Sequence, residues 1–170
     1  MESPPSRTLG EFCEPLRNFL HDEHIAPDSK IETSISGGLG KQLKEIDDDQ
    51  IMCRYKPSDP KALGATSILS PVEGDFDLDA TNKFLTTPPH GYRFLDGHSA
   101  PVWFQDHRRI DEMFQKSATA ELTTTVGKWE GYIVIDDRSP LPISDEQISR
   151  LAEVLIEATR KMNEPPDGQE

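Results

Sequence analysis

The sequence predicts an α+β fold, in which a mainly antiparallel sheet is packed by an N-terminal and a C-terminal helix. Three observations support this prediction: a hairpin pattern around Gly127-Lys128, a capped amphipathic segment after it, and a second amphipathic segment near the start of the chain. With 170 residues, of which 34% are hydrophobic, the chain can bury one core. We therefore expect one domain.

The hairpin is the best-specified local element. Its predicted strands, Ala120–Val126 and Trp129–Ile135, are separated by two residues, and a glycine at the first turn position fits a type II′ turn. That turn sets the register, so that Val126 faces Trp129 and Ala120 faces Ile135. One face of the hairpin is then apolar and the other is mixed.

Both predicted terminal helices carry an apolar stripe. After the hairpin, Ser144 and Gln147 have capping-box spacing, and the following stripe contains Ile148, Leu151, Leu155, Ala158 and Met162. Near the N-terminus the shared face consists of Leu9, Phe12, Leu16, Phe19 and Leu20. Because proline disfavours a helix interior, we predict that the first helix begins at Pro15.

The sequence between these elements predicts further strands and short helices. Strands are expected at Lys30–Ser36, Ile51–Lys56, Thr66–Leu69, Tyr92–Leu95 and Val102–Phe104. Short helices are expected after the glycine-rich turn at 37–41, over Ala80–Leu85 and over Asp106–Ser117. The domain should span residues 9–162, because the ends at 1–8 and 163–170 are proline-rich and lack a stripe to bury, and are predicted to be disordered.

The formal net charge of −13 is the strongest compositional feature. It argues against nucleic acid and anionic membranes as direct partners, since either requires a basic surface. It permits a basic protein partner, with solubility alone as the alternative, and a homodimer stays possible. Acidic residues concentrate in segments 45–79 and 130–157, and the predicted partner-binding residues are Asp47, Asp48, Asp49, Asp75, Asp77 and Asp79.

The two cysteines, Cys13 and Cys53, do not have the spacing of a metal site or a redox motif. We therefore expect no disulfide. The chain does not open with a signal peptide and contains no apolar run of 18 residues or more, a length that would span a bilayer. A reducing, cytoplasmic location is the expectation that follows.

The run Gly74-Asp75-Phe76-Asp77-Leu78-Asp79 is the best candidate for chemistry. Strand alternation would place its three carboxylates on one face, where they could hold a divalent cation. With Gly37-Gly38 upstream, Asp75 and Asp77 resemble the small-residue turn and paired aspartates of the nucleotidyltransferase superfamily. That resemblance implies magnesium, a nucleoside triphosphate and a third carboxylate, for which Asp136 is the candidate. The alternative to this site is an acidic edge strand that resists pairing with other chains.

The remaining histidines do not form a recognisable site. His90, His98 and His107 lie in one region with Asp96 and Asp106, but not in a spacing typical of metallohydrolases. We expect unrelated surface or loop histidines there, and no metal or cofactor.

The order of helix, strands, hairpin, proline-rich loop and acidic helix resembles the small acidic chaperones of type III secretion, over the last forty residues. Two functional hypotheses follow. The first is a non-catalytic binding protein that covers a basic partner, as an immunity protein, antitoxin or secretion chaperone does. The alternative is a magnesium-dependent nucleotidyltransferase-like enzyme that uses Asp75, Asp77 and Asp136.

Overall fold

The computed structural model describes residues 6–25, 28–58, 64–106, 118–136 and 143–164. Over these residues the chain forms three α-helices: α1 (Leu9–Asp22), α2 (Leu78–Thr86) and α3 (Asp145–Lys161). It forms seven strands: β1 (Lys30–Glu32), β2 (Ile51–Lys56), β3 (Ala65–Pro71), β4 (Arg93–Phe94), β5 (Val102–Asp106), β6 (Ala118–Val126) and β7 (Trp129–Asp136). Single-turn 3-10 helices lie at Gly38–Gly40 and Leu43–Glu45.

The strands form one sheet in the order β1-β2-β3-β7-β6-β5-β4, and every neighbouring pair is antiparallel. Helix α3 packs on β6 and β7, while α1 packs against α3 and β1. The core lies between this helix layer and the sheet, and its largest fully buried side chains include Tyr55, Phe12, Phe104, Leu16 and Ile133. The predicted α+β class, with terminal helices packed on an antiparallel sheet, is confirmed.

The hairpin has the predicted register. Val126 pairs with Trp129 and Ala120 with Ile135, and the strands extend to Ala118 and Asp136. Gly127 has a φ of +60°, the left-handed value that the first position of a type II′ turn requires. The side chain of Asn163, just after α3, braces this turn by accepting from Lys128 N at 2.8 Å and donating to Val126 O at 2.9 Å.

Helix α3 begins as its capping box predicts. The Ser144 hydroxyl accepts from Gln147 N at 3.1 Å, and Gln147 Oε1 accepts from Ser144 N at 3.0 Å. Ile148, Leu151 and Leu155 are buried, as the stripe requires. The buried face is wider than predicted and also contains Ile156 and Thr159.

Gly131 on β7 lets α3 approach the sheet closely. A Cβ placed at Gly131 would lie 2.1 Å from Thr159 Oγ1, so a larger residue cannot fit without movement. We expect Gly131→Ala to destabilise the fold by about 1–3 kcal/mol, the usual cost of overpacking. Urea denaturation should show that Thr159→Ala, which removes the clashing hydroxyl, costs less in the Gly131→Ala background than alone. Strictly additive losses would contradict this close packing.

Helix α1 begins at Leu9, so the predicted start at Pro15 is wrong. The N–H of Thr8 donates to Glu11 Oε1 at 3.5 Å, and Leu9 N donates to Lys41 O at 3.0 Å. Proline inside a helix costs about 3 kcal/mol. The full burial of Leu9 and Phe12, worth about 1.5–3 kcal/mol each, offsets that cost.

Arg7, assigned by the sequence to the disordered N-terminus, makes defined contacts. Its side chain is buried, with Nη1 2.7 Å from Glu11 Oε2 and Nε donating to Glu164 O at 3.3 Å. Its carbonyl accepts from Leu43 N at 2.9 Å. Arg7, Asn163 and Glu164 therefore make tertiary contacts outside the predicted range of 9–162.

Cys13 and Cys53 form a disulfide, which corrects the expectation of unpaired cysteines. It joins α1 to β2 across a Cα–Cα distance of 6.4 Å, and both residues are fully buried. The Tyr55 hydroxyl lies beside it, 3.0 Å from Cys13 O and 2.8 Å from Ser67 Oγ. Local spacing could not predict this bond, because tertiary packing brings together cysteines that are 40 residues apart.

The other observed strands and helices differ from the predicted ones mainly in the residues at which they begin and end. Strand β2 has its predicted bounds, β3 and β5 are longer than predicted, and β1 and β4 are shorter. The predicted helix over Ala80–Leu85 is α2, which begins two residues earlier. Asp106 ends β5, and the rest of the helix predicted over Asp106–Ser117 lies outside the described residues.

Helix α2 lies against the sheet face opposite α1 and α3. On β5, Phe104 belongs to the core, so its neighbour Trp103 points to the other face. There, Trp103 Nε1 donates to Asn82 Oδ1 on α2 at 2.9 Å. Within the part of the chain that the structure describes, no helix combines the length and the apolar character needed to cross a membrane.

Candidate functional site

The sheet register brings the two aspartate groups of segment 45–79 to one end of the sheet. Ile51, at the start of β2, pairs with Leu69 near the end of β3. Asp47, Asp48 and Asp49 come just before Ile51, and the segment with Asp75, Asp77 and Asp79 follows the last β3 residue, Pro71. All six aspartates are exposed. We call this region, residues 47–49 and 72–79 with the β6–β7 turn, the acidic end.

The turn between β6 and β7 completes this end. Pro71 pairs with Trp129, and Val72 N donates to Lys128 O at 2.9 Å. A cleft of about 500 Å³ is formed by this turn and the segment after β3. It is lined by Pro71, Val72, Gly74, Asp75, Phe76, Gly127, Lys128 and Trp129.

The segment 72–79 is not the strand that the sequence predicted. Gly74 has a φ of +69°, and Asp77 is the N-cap of α2, where its carboxylate accepts from Ala80 N at 3.0 Å. Asp79 lies in the first turn of that helix. Aspartate favours helix caps over strands, so capping overrides the alternation. The three carboxylates therefore do not share one strand face, and the predicted acidic edge strand is wrong.

Apolar side chains are exposed among these carboxylates. Phe76 is 37% and Leu78 43% exposed, and each lies between aspartates in the chain. The acidic end thus combines negative charge with two exposed apolar side chains.

Burial and a neighbouring carboxylate both shift the pKa of Glu130 at this end. Glu130, next to Trp129 on β7, has a raised pKa, first because of desolvation and second because of the charge of Glu73. Both effects disfavour the charged form of a carboxyl group. A cationic group placed here would relieve the repulsion between Glu73 and Glu130.

Asp136 lies at the other end of the sheet. It ends β7, whose preceding residue Ile135 pairs with Ala65 at the start of β3, whereas Asp75 and Asp77 follow the end of β3. Seven strand positions at about 3.3 Å each separate Trp129 from Asp136, or about 23 Å. The backbone therefore does not bring Asp136 to Asp75 and Asp77, as the three-carboxylate arrangement requires.

The glycine-rich turn lies beside α1. Gly37 and Gly38 have φ values of +93° and +65°, and the 3-10 helix that follows packs on α1, with Leu39 O 3.2 Å from a Cβ placed at Gly10. Among the residues that are described, no group of three or more His, Cys, Asp or Glu is arranged to hold a metal ion.

A polar network that the sequence did not predict joins the loop before β5 to α3. Glu153 Oε1 lies 2.8 Å from His98 Nδ1, and Glu153 Oε2 accepts from Ser99 Oγ at 3.1 Å. Desolvation raises the pKa of Glu153, but the hydrogen bonds from His98 and Ser99 together outweigh it and lower the pKa. This network anchors the loop. No spacing could reveal it, since Glu153 lies 54 residues from Ser99.

A second unpredicted cluster lies on the α2 side of the sheet. The Tyr132 hydroxyl donates to Glu121 Oε1. Burial, and then the charge of Glu121, raise the pKa of Tyr92 to about 12, and burial also raises the pKa of Tyr132. Both phenols are therefore protonated at neutral pH, so they can donate hydrogen bonds there but do not supply a phenolate base.

The chain matches no protein-family model, no curated protein and no solved structure.

Proposed function

We propose that this protein is an acidic, non-catalytic binding protein whose acidic end covers a basic protein partner. The proposal rests on one observation: the register of β2, β3 and β7 gathers Asp47, Asp48 and Asp49 with Asp75, Asp77 and Asp79 at one end of the sheet. An immunity protein, an antitoxin and a secretion chaperone are the kinds of protein that bind in this way.

Charge and apolar exposure support different aspects of binding at this end. The carboxylates would accelerate encounter with a basic surface, because electrostatic steering acts mainly on the association rate. Phe76 and Leu78 would slow dissociation, since exposed apolar side chains bury area on binding. A second copy of the chain fits this surface poorly, because a symmetric contact would place like charges together.

The disulfide changes the expected location. The cytoplasmic expectation assumed a reducing compartment, whereas Cys13 and Cys53 are bonded. Disulfides persist mainly in oxidising compartments. We therefore propose that the partner is met in an oxidising compartment.

The test begins with capture of the partner from the native cell by the full chain. Stopped-flow association of the purified partner should then slow by about tenfold or more between low and physiological ionic strength, because screening at about 0.1 M acts beyond roughly 10 Å. Replacing four aspartates with asparagine should reproduce much of that loss without unfolding the domain. The four are Asp47, Asp48, Asp49 and Asp75.

The matched control neutralises four exposed carboxylates that lie elsewhere, so that the net charge changes equally. They are replaced as Glu14→Gln, Asp28→Asn, Asp96→Asn and Glu146→Gln. This control should slow association by less than half as much as the variant at the acidic end. Equal slowing by both variants would mean that net charge matters and the acidic end does not, and a rate insensitive to salt would mean that the acidity serves only solubility.

A further inference from the structure

Helices α1 and α3 form a groove on the side of the molecule that carries the helix layer. Its volume is about 850 Å³. Pro15 and Phe19 on α1 and Val154 and Ala158 on α3 provide its apolar surface. This helical groove and the cleft at the acidic end have no lining residue in common.

The residues that line each wall of the helical groove recur at helical spacing. On α1 the lining positions advance from Pro15 through Phe19 to Asp22, and on α3 from Arg150 through Val154 to Lys161. Each wall is thus one face of a helix, and the lining positions on α3, from Ser149 to Lys161, span about 18 Å at 1.5 Å per residue. A straight third helix of three to four turns matches this shape, whereas a bulky irregular loop does not follow two parallel rows.

The charged residues of the groove lining indicate which kind of helix would bind there. The lining contains five carboxylates, on Asp22, Glu23, Glu153, Glu157 and Glu164, and two cations, on Arg150 and Lys161. Arg150 already binds Glu23, with Nε 2.6 Å from Oε1, Arg160 pairs with Glu157, and Glu153 accepts hydrogen bonds in the network with His98 and Ser99. By formal charge, the five carboxylates of the lining still outnumber its two cations around an apolar floor, which complements an apolar stripe with basic flanks.

We propose that the helical groove is a second docking site, which binds an amphipathic helix carrying lysine or arginine beside its apolar stripe. In this mode apolar anchors at i, i+3, i+4 and i+7 fill the groove, and the flanking cations meet the rim. The site is independent of the acidic end, so a partner could engage both surfaces, and the effective concentration of the second contact would raise the overall affinity. A second copy of this chain is the competing occupant, and the test below includes it.

The probe is a fluorescein-labelled synthetic helix of leucine and lysine, about 14 residues long and hence about 21 Å. Its binding to the full chain is followed by fluorescence anisotropy. Val154→Lys places a cation on the partly exposed floor, and we expect it to weaken binding roughly tenfold. Asn18→Lys, at an exposed position on the α1 wall, provides a second variant that does not disturb the core.

Phe84→Lys is the matched control, because it also replaces an apolar side chain with a cation, at a 61% exposed position on α2 across the sheet from the helical groove. It should change binding of the probe less than twofold. A helix of leucine and glutamate with the same pattern should bind at least roughly tenfold more weakly than the lysine helix. Equal losses from Val154→Lys and Phe84→Lys would show non-specific attraction and overturn the proposal. So would a wild-type dimer that Val154→Lys dissociates in analytical ultracentrifugation, since a second copy would then fill the groove.

Discussion

Leu155→Asp is expected to leave the protein largely unfolded at room temperature. Leu155 is fully buried in α3, and one of its methyl groups, Cδ1, lies 3.3 Å from a Cβ placed at Gly131, so it packs directly on the hairpin. Removing a buried leucine side chain costs about 2–5 kcal/mol. An unpaired carboxyl group in its place adds several kcal/mol. The sum is comparable to the whole stability of a typical domain, about 5–15 kcal/mol.

Circular dichroism and thermal melting measure this effect directly. The matched control is Val154→Asp, one residue earlier, where the side chain is partly exposed and a carboxylate can reach water. We expect Val154→Asp to melt within a few degrees of the wild type and to keep its helical signal. A normal melting temperature for Leu155→Asp would mean that α3 does not pack on the hairpin at this position.

The confirmed predictions share a local cause. The two-residue turn at Gly127-Lys128 restricts the hairpin to one register, and the Ser144–Gln147 capping box marks the start of α3. Each signal lies within four residues of the element that it specifies. The capping signal at Thr8 and Glu11 is equally local. It was not used in the prediction of α1, because the free-energy cost of Pro15 inside a helix was given more weight.

One error has a long-range cause and another a local one. Cys13 and Cys53 bond because α1 packs on the face of the sheet to which Cys53 on β2 points. The residues around each cysteine in the sequence do not encode that contact. The segment Asp75–Asp79 alternates like a strand, yet the N-cap preference of Asp77 commits it to α2. Alternation of charged and apolar residues is therefore a weak strand signal when aspartate can cap a following helix.

The candidate site was partly predictable. The acidic residues themselves follow from composition, so their selection needed no structure. Their grouping required the pairing of Ile51 with Leu69 and of Pro71 with Trp129, which only the fold determines. The same register removes Asp136 from the group. Sequence thus identifies the charges, and topology decides which of them can act on one partner.

Breaking the disulfide is the second change with a large expected effect. The double variant Cys13→Ala, Cys53→Ala should lose about 4 kcal/mol of unfolding free energy, because the bond closes a loop between residues 40 apart and restricts the unfolded chain. For a chain of this size, the melting temperature should fall by about 8–16 °C. Both sulfurs lie in the core, so alanine adds a small cavity cost.

Urea denaturation of the wild type with and without reductant isolates the covalent contribution. Reduced wild type keeps both sulfur atoms, so its difference from oxidised wild type measures loop closure, and its difference from the double variant measures packing. We expect loop closure to be the larger part, since burial of one sulfur pair is worth less than about 4 kcal/mol of chain entropy. Protein isolated from the native cell and alkylated under denaturing conditions should show no free thiol. Two alkylated cysteines, with a stability that reductant does not change, would mean that Cys13 and Cys53 are unbonded in the cell, and would favour a reducing, cytoplasmic location.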